Sequence, residues 1–422
     1  MSKLPQKLKF LKKFAGAGAF AVKKTAANSK KFMRARWRRR KKINKSATVK
    51  ALAVFLFCSA LVFEYFHAAK IAREEEAIRP LKEKIGQMLM IGFRGTEIGG
   101  GSDIGNAIEE LNLGGVILFD YDAPSKNRPR NIVDRQQTQK LIADLKSRAK
   151  NEPLLVAVDA EGGLINRLKP SMGFAEIDSA QSLAKKGGLA AINDYWTLAR
   201  QLADLGFNIN FAPVVDLNLN PENPVIGGLE RSYSADPEIV AGYARTLIAA
   251  HRAFGILTAL KHFPGHGSSS SDSHLALPDI TETYEEQELA PYAELIKNGG
   301  ADSIMTAHVI NQNIDPEYPA TLSEKFINGI LRQDLEFDGV VFSDDMQMGA
   351  IIDHYGFEDA IVRAINAGCD ILIFSNNGEE YDDSVARRAA DTVLNAVKEG
   401  LISESRINES YARIMQLKSK LK

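Results

Sequence analysis

From Met88 onward the chain alternates short β-rich runs with longer helical patterns, and this alternation restricts the fold more than any other feature. The runs are Met88–Phe93, Gly115–Phe119, Leu154–Val158, Asn208–Ala212, Leu257–Leu260, Ser303–Thr306, Gly339–Ser343 and Asp370–Phe374. Several are continuously apolar, as strands buried on both faces of a parallel sheet are. Helical stretches such as Ile132–Ala149, Ala190–Leu205, Ile239–Phe254 and Glu285–Lys297 lie between them. Eight strands with intervening helices over about 340 residues predict an α/β fold, a single (β/α)8 TIM-type barrel. An open doubly wound sheet is the alternative. Its dinucleotide-binding version finds no support, since no GxGxxG opens a helix after a strand.

A barrel predicts that catalytic groups sit just after the strands, on one face. The polar clusters fall there. Asp159-Ala-Glu-Gly-Gly follows the third run, Asp216 the fourth, and Lys261-His-Phe-Pro-Gly-His-Gly the fifth. His308 follows the sixth, Ser343-Asp-Asp-Met the seventh and Ser375-Asn-Asn the eighth. A random scatter of polar residues would not favour one end of the strands.

The formal net charge of zero hides a segregation of sign. Residues 1–50 hold 18 of the 53 Lys and Arg and no Asp or Glu, which leaves 35 basic residues against 53 acidic ones downstream. Such a tail fits an anionic partner, nucleic acid or a lipid surface. The apolar stretch next to the tail favours the lipid, and no nucleic-acid partner is expected. This stretch, residues 47–69, is built around ALAVFLFCSALVF and interrupted by Lys50, Glu64 and His67. Its length is about that of a membrane-spanning helix, with a basic flank that predicts a cytoplasmic N-terminus. The expected organisation is a basic cytoplasmic tail (1–46), a single-pass anchor (47–69), a linker helix (70–82) and the barrel (83–422). A cleaved signal peptide and a buried helix are the alternatives for the apolar stretch. In this reading the anchor lies in a bacterial inner membrane, with the barrel on the periplasmic or external side. The two cysteines, Cys58 and Cys369, lie too far apart in character and sequence for an expected disulfide.

Asp344 and Asp345 end the seventh run, where strand alternation points one toward the barrel axis and leaves the other to support the loop. Capping of a following helix, Met346–Ile352, is the structural alternative. Three of the chain's seven histidines fall in residues 261–278, together with Asp272. His262, His266 and His274 could ligate zinc, but their Gly/Ser-rich spacing sets no pair on a fixed helical face. Asp272-Ser-His274 alternatively lets a carboxylate orient an imidazole for proton transfer. A carboxylate on one side of a sugar and a proton donor on the other is what glycosidic cleavage needs.

KHFPGHG, the DSH that follows it, FSDDMQM, VDAEGGLINRL (158–168) and LERSYSADP (229–237) resemble motifs of the glycoside hydrolase family 3 β-N-acetylglucosaminidases. The resemblance runs from about Leu81 to the C-terminus and keeps motif order. It implies a (β/α)8 barrel with Asp344 as nucleophile, His274 as general acid/base and Asp272 as its partner. It implies substrate contacts from Asp159, Arg167, Arg231, Lys261 and His262, and no cofactor or metal. The implied activity is retaining hydrolysis of terminal β-linked N-acetylglucosamine from peptidoglycan fragments or related oligosaccharides. Phosphorolysis, a broader β-glucosidase and a non-enzymatic tethered glycan-binding protein are the competing expectations.

Overall fold

The computed structural model describes residues 80–99, 101–271, 277–378 and 380–421. The expected tail, the apolar stretch 47–69 and nearly all of the linker helix lie outside these residues. Among the described residues no helix is long and apolar enough to cross a membrane. A helix over 80–87 leads into the first strand, running through the boundary expected at 82/83.

The strands are β1 (Leu89–Gly92), β2 (Gly115–Ile117), β3 (Leu155–Val158), β4 (Ala160–Gly162), β5 (Ile165–Asn166), β6 (Ile209–Asn210), β7 (Leu257–Phe263), β8 (Ser303–Thr306), β9 (Val340–Asp345) and β10 (Ile371–Phe374). β4 and β5 form a separate antiparallel hairpin. The other eight close into a barrel in the order β1-β10-β9-β8-β7-β6-β3-β2, and every pairing within it is parallel. All eight expected runs are strands of this barrel. An open sheet is excluded, because β1 pairs with both β2 and β10.

The strands are apolar because neither face meets water. The inner face packs on the opposite wall and the outer face lies under a ring of helices. Met90, Val116, Val156, Leu260 and Ile304 are fully buried. Across the barrel Phe211 and Phe342 meet edge to face, 5.3 Å between centroids. Helices Arg135–Arg148, Gly188–Leu205 and Pro237–Ala253 match the expected stretches closely. Asp134 and Asp236 start two of them by accepting backbone amides of the first turn. Cys369 is a buried thiol before β10, its pKa pushed up to about 12 by burial.

At the N-terminal end of the barrel, buried Asp370 accepts from Arg332, Arg406 and Ser410 and fastens the closing strands to the C-terminal helix Glu404–Lys418. His251 is a second buried polar anchor. Its Nδ1 faces the Leu247 carbonyl at 2.9 Å and its Nε2 faces Asn210 Nδ2 at 3.0 Å. Burial holds its pKa down at about 4. The folded state therefore keeps His251 neutral while an unfolded chain takes up a proton below about pH 6.5. Its stabilisation is complete above that pH and is lost as pH falls from 6.5 to 4, on the order of 3 kcal/mol. Urea midpoints at pH 7 and pH 4.5 should differ accordingly, with a smaller difference in His251→Asn. Equal pH dependence in both proteins would refute it.

Candidate active site

The polar strand ends meet at the C-terminal mouth of the barrel. β3 ends at Val158, and the β4–β5 hairpin after Asp159 returns Arg167 to it. Arg167 N donates to the Asp159 carbonyl at 3.1 Å, and its guanidinium lies 3.7 Å from the Asp159 carboxylate. Gly162 makes the tight return possible. Its φ is +106°, and a Cβ would sit 2.1 Å from the Asp178 carbonyl.

Lys261, in β7, reaches the same place from two strands along the barrel. Its Nζ lies 2.9 Å from Asp159 Oδ1 and 2.7 Å from Glu161 Oε1. Arg231 comes from the loop before helix Pro237–Ala253 and grips Glu161 with two bonds, Nε to Oε2 at 2.8 Å and Nη2 to Oε1 at 2.7 Å. The same Nη2 lies 3.1 Å from His262 Nε2. A guanidinium only donates, so His262 Nε2 accepts and its ring proton sits on Nδ1. Nδ1 faces Asp216 Oδ2 at 2.7 Å. Asp216 also accepts the amides of His262 and His266.

The shell is charge-balanced: Asp159, Glu161 and Asp216 against Arg167, Lys261 and Arg231. Burial opposes ionisation of Glu161, but Arg231 and Lys261 hold its carboxyl well below the usual carboxylate range. Their own pKa values rise, burial opposing and the carboxylates prevailing. Asp216 is held down by His262 and His266 against its burial. The innermost groups, Glu161, Asp216, Lys261 and His262, are buried, while Asp159 and Arg167 are partly open. A shell without excess charge suits a neutral, hydroxyl-rich ligand, with donors and acceptors fixed in advance.

Asp344 and Asp345 both lie inside β9, two residues beyond the expected run. They take different places. Asp345 is built into the loops: it accepts the Gln347 amide at 3.1 Å, the Ser375 amide at 2.9 Å and the Ser375 hydroxyl. Burial pushes its pKa up, against those bonds. His308, after β8, faces the Asp345 carbonyl through Nε2 at 2.9 Å. Asp344 is half-buried, and its Oδ1 accepts the Asp345 amide at 2.8 Å. Neither caps the next helix, which is Gly349–Tyr355 with Met348 at its N-cap and no side-chain cap bond. The structure thus rules out the expected capping of a helix Met346–Ile352. β7 and β9 are separated in the barrel by β8 alone.

The structure thus gathers Asp159, Arg167, Arg231, Lys261 and His262 into one network. Asp272 and His274 lie outside the described residues. Among the described residues no group of three His, Cys, Asp or Glu could hold a metal ion. Glu161, Asp216 and His308 join the site without having been assigned a role from sequence. The available signal was an acidic residue at the end of an apolar run, as in APVVD, where only a partnered carboxylate is tolerated.

Comparison with known proteins agrees with this geometry. The family described as Glycosyl hydrolase family 3 N terminal domain matches residues 80–417. Beta-hexosaminidase A of Pseudoalteromonas piscicida is 32% identical over 346 residues, covering 76% of this chain and 55% of that protein. The beta-hexosaminidase of Tolumonas auensis is 37% identical over 295 residues, covering 68% and 83%. Among solved structures, a glycoside hydrolase family 3 beta-N-acetylglucosaminidase from Paenibacillus sp. str. FPU-7 superposes with a TM-score of 0.73 at 38% identity, covering 81% of this chain and 62% of that one. Beta-N-acetylhexosaminidase from Beutenbergia cavernae gives 0.71 at 28%, covering 80% and 98%. The chain therefore spans little more than half the length of the Pseudoalteromonas relative and nearly all of the Beutenbergia one. With a family match across most of its length and a closed parallel barrel bearing the motif residues at one mouth, the chain belongs to glycosyl hydrolase family 3.

Proposed function

We propose that the chain is a retaining exo-β-N-acetylglucosaminidase that releases terminal N-acetylglucosamine from peptidoglycan fragments or related oligosaccharides. The observation that carries the reading is the charge-balanced shell at the barrel mouth, with the Asp344 carboxylate on β9 of the same barrel. The names of the relatives support the acetamido sugar. Asp344 attacks the anomeric carbon while His274, oriented by Asp272, protonates the departing oxygen, giving a covalent glycosyl-enzyme. His274 then takes a proton from water, and hydrolysis releases the sugar with retained configuration. Asp159, Arg167, Arg231, Lys261 and His262 hold the sugar hydroxyls, the last three fixed from behind by Glu161 and Asp216.

The basic tail and apolar stretch 47–69 support placement of the barrel outside the cytoplasm, tethered to the bacterial inner membrane and facing the cell wall. The test is hydrolysis of 4-nitrophenyl N-acetyl-β-D-glucosaminide and defined muropeptides by the full chain in membranes. Turnover should exceed that of the glucoside by at least about a hundredfold, as expected when buried polar groups lack their partner. Spheroplasts should show it without lysis. Equal glucoside turnover would select a broader β-glucosidase, and sugar 1-phosphate as main product in phosphate buffer a phosphorylase. Activity latent until lysis would overturn the placement.

A further inference from the structure

The described stem of the segment that carries Asp272 and His274 runs between two walls, one of which has no part in the proposed mechanism. On one side the loop after β6 holds it: Asp216 accepts the His266 amide, Asn223 donates to the His266 carbonyl at 2.7 Å and Asn220 to the Ser269 carbonyl at 2.9 Å. On the other side stands Glu288, in the 3-10 turn Glu286–Leu289. Gly265 leaves β7 at φ +136°, and a Cβ there would lie 2.7 Å from Glu288 Oε2 and 2.8 Å from Glu288 Cβ. Glu288 is 1% exposed, and its turn is fixed by a reciprocal capping box with Glu285.

The groups around the Glu288 carboxyl come from every neighbouring element. The stem contributes the Ser268 hydroxyl and amide, and His266 through their common neighbour Asp216. Its own turn contributes the Glu285 amide, and the flanking residues the hydroxyls of Tyr284 and Tyr292. These groups are close but poorly aligned. Among the described residues, Glu288 Oε2, Ser268 Oγ, Tyr284 OH and Tyr292 OH find no hydrogen-bond partner. A buried carboxyl short of donors favours its neutral form. Burial, reinforced by the charge of Asp216 and opposed by Ser268, brings the Glu288 pKa up to about 7.

We propose that Glu288 is a positioning residue for the acid/base step, a buried carboxyl wedge that fixes the Gly265–Ser269 stem from which the segment bearing Asp272 and His274 continues. The proposal rests on the hydrolase reading. In its neutral form the carboxyl completes the wall. Once ionised it sets a second negative charge against Asp216 without enough donors, and the stem loses its fixed seat.

The test compares wild type, Glu288→Gln and Glu288→Ala in the full chain across about pH 5.5 to 9. Two N-acetylglucosaminides are used, one with a 4-methylumbelliferyl and one with a 2,4-dinitrophenyl leaving group; the second departs without needing a proton. Glu288→Gln keeps the neutral shape, so its kcat near pH 6 stays within about twofold of wild type. It also holds that kcat above pH 7, where wild type declines. Glu288→Ala loses at least about tenfold in kcat/KM, which reports formation of the glycosyl-enzyme, on the methylumbelliferyl substrate and much less on the dinitrophenyl one. Superimposable pH profiles for wild type and Glu288→Gln would overturn the proposal. So would equal losses of Glu288→Ala on both substrates. If wild type turns over both substrates and these contrasts fail, Glu288 alone is misassigned. If wild type turns over neither, the hydrolase reading falls and this one with it.

Discussion

Replacing Asp344 by asparagine is expected to lower kcat about ten-thousandfold or more while leaving the fold intact. An amide oxygen cannot form the glycosyl ester, so both halves of the double displacement are lost rather than slowed. The fold should survive because the contact made by Asp344 Oδ1 is one an asparagine oxygen can also accept, the amide of Asp345 at 2.8 Å. Asp344→Ala gives a sharper result. With the carboxylate gone, azide added to the assay should enter from the vacated side and yield the α-configured glycosyl azide, whereas the wild-type product is β. That inversion reports which side of the sugar residue 344 occupies, which a loss of rate alone does not. Wild-type kcat in Asp344→Asn, or a β-azide from Asp344→Ala, would remove Asp344 from the role of nucleophile. The neighbouring carboxylate offers the contrast. Asp345 accepts two amides and a hydroxyl from the loops after β9 and β10, so its replacement should be felt in stability as well as rate.

The barrel was legible because its signals are local. A strand buried on both faces needs an unbroken apolar run wherever it lies in the chain, so β10 could be read from Ile371–Phe374 alone. The ends were less legible. β9 continues through two aspartates, which sequence reading places beyond the strand, because ladder bonds to β10 and tertiary partners outweigh their poor strand propensity. The same distinction separates the parts of the site. Asp159, Arg167, Lys261 and Asp344 stand in short motifs at strand ends and could be picked out as polar residues in an apolar setting. Glu161, Asp216 and His308 matter because of what they meet across the fold. Arg231 reaches Glu161 across 70 residues of sequence and His262 reaches Asp216 across 46, and no periodicity encodes such pairings. His308 stands out in the sequence by its place after a strand, but its partners, the Asp345 carbonyl and the Thr321 hydroxyl, do not.

Glu161→Gln should then be the most destabilising single change in the site, at about 3–5 kcal/mol, the usual cost of removing one partner from a buried ion pair. Glutamine keeps the size and one acceptor, so the loss comes from charge. Lys261 is buried, Arg231 is largely shielded, and both rely on Glu161, at 2.7 Å in each case. With it neutralised, Lys261 retains Asp159 alone among its close carboxylates, and Arg231 is left with the more distant Asp216 and Asp159. The sign with pH follows from the lowered pKa of Glu161. Its contribution is fully present above the unfolded-state value near 4.5 and disappears as pH falls below it, so wild type and Glu161→Gln should converge in strong acid. Urea unfolding at pH 7 and in steps down to about pH 2 measures both. A double-mutant cycle with Lys261→Met separates charge from packing. If the cost is an uncompensated buried cation, the second substitution should remove part of it, and the two losses should fall short of additive by at least about 1 kcal/mol. Strict additivity, or a Glu161→Gln midpoint equal to wild type, would mean that the cations are solvated well enough to stand without the carboxylate. The shell would then be an open, hydrated surface rather than a preorganised one, and the rigid hold on the sugar on which the proposed catalysis depends would have no physical basis.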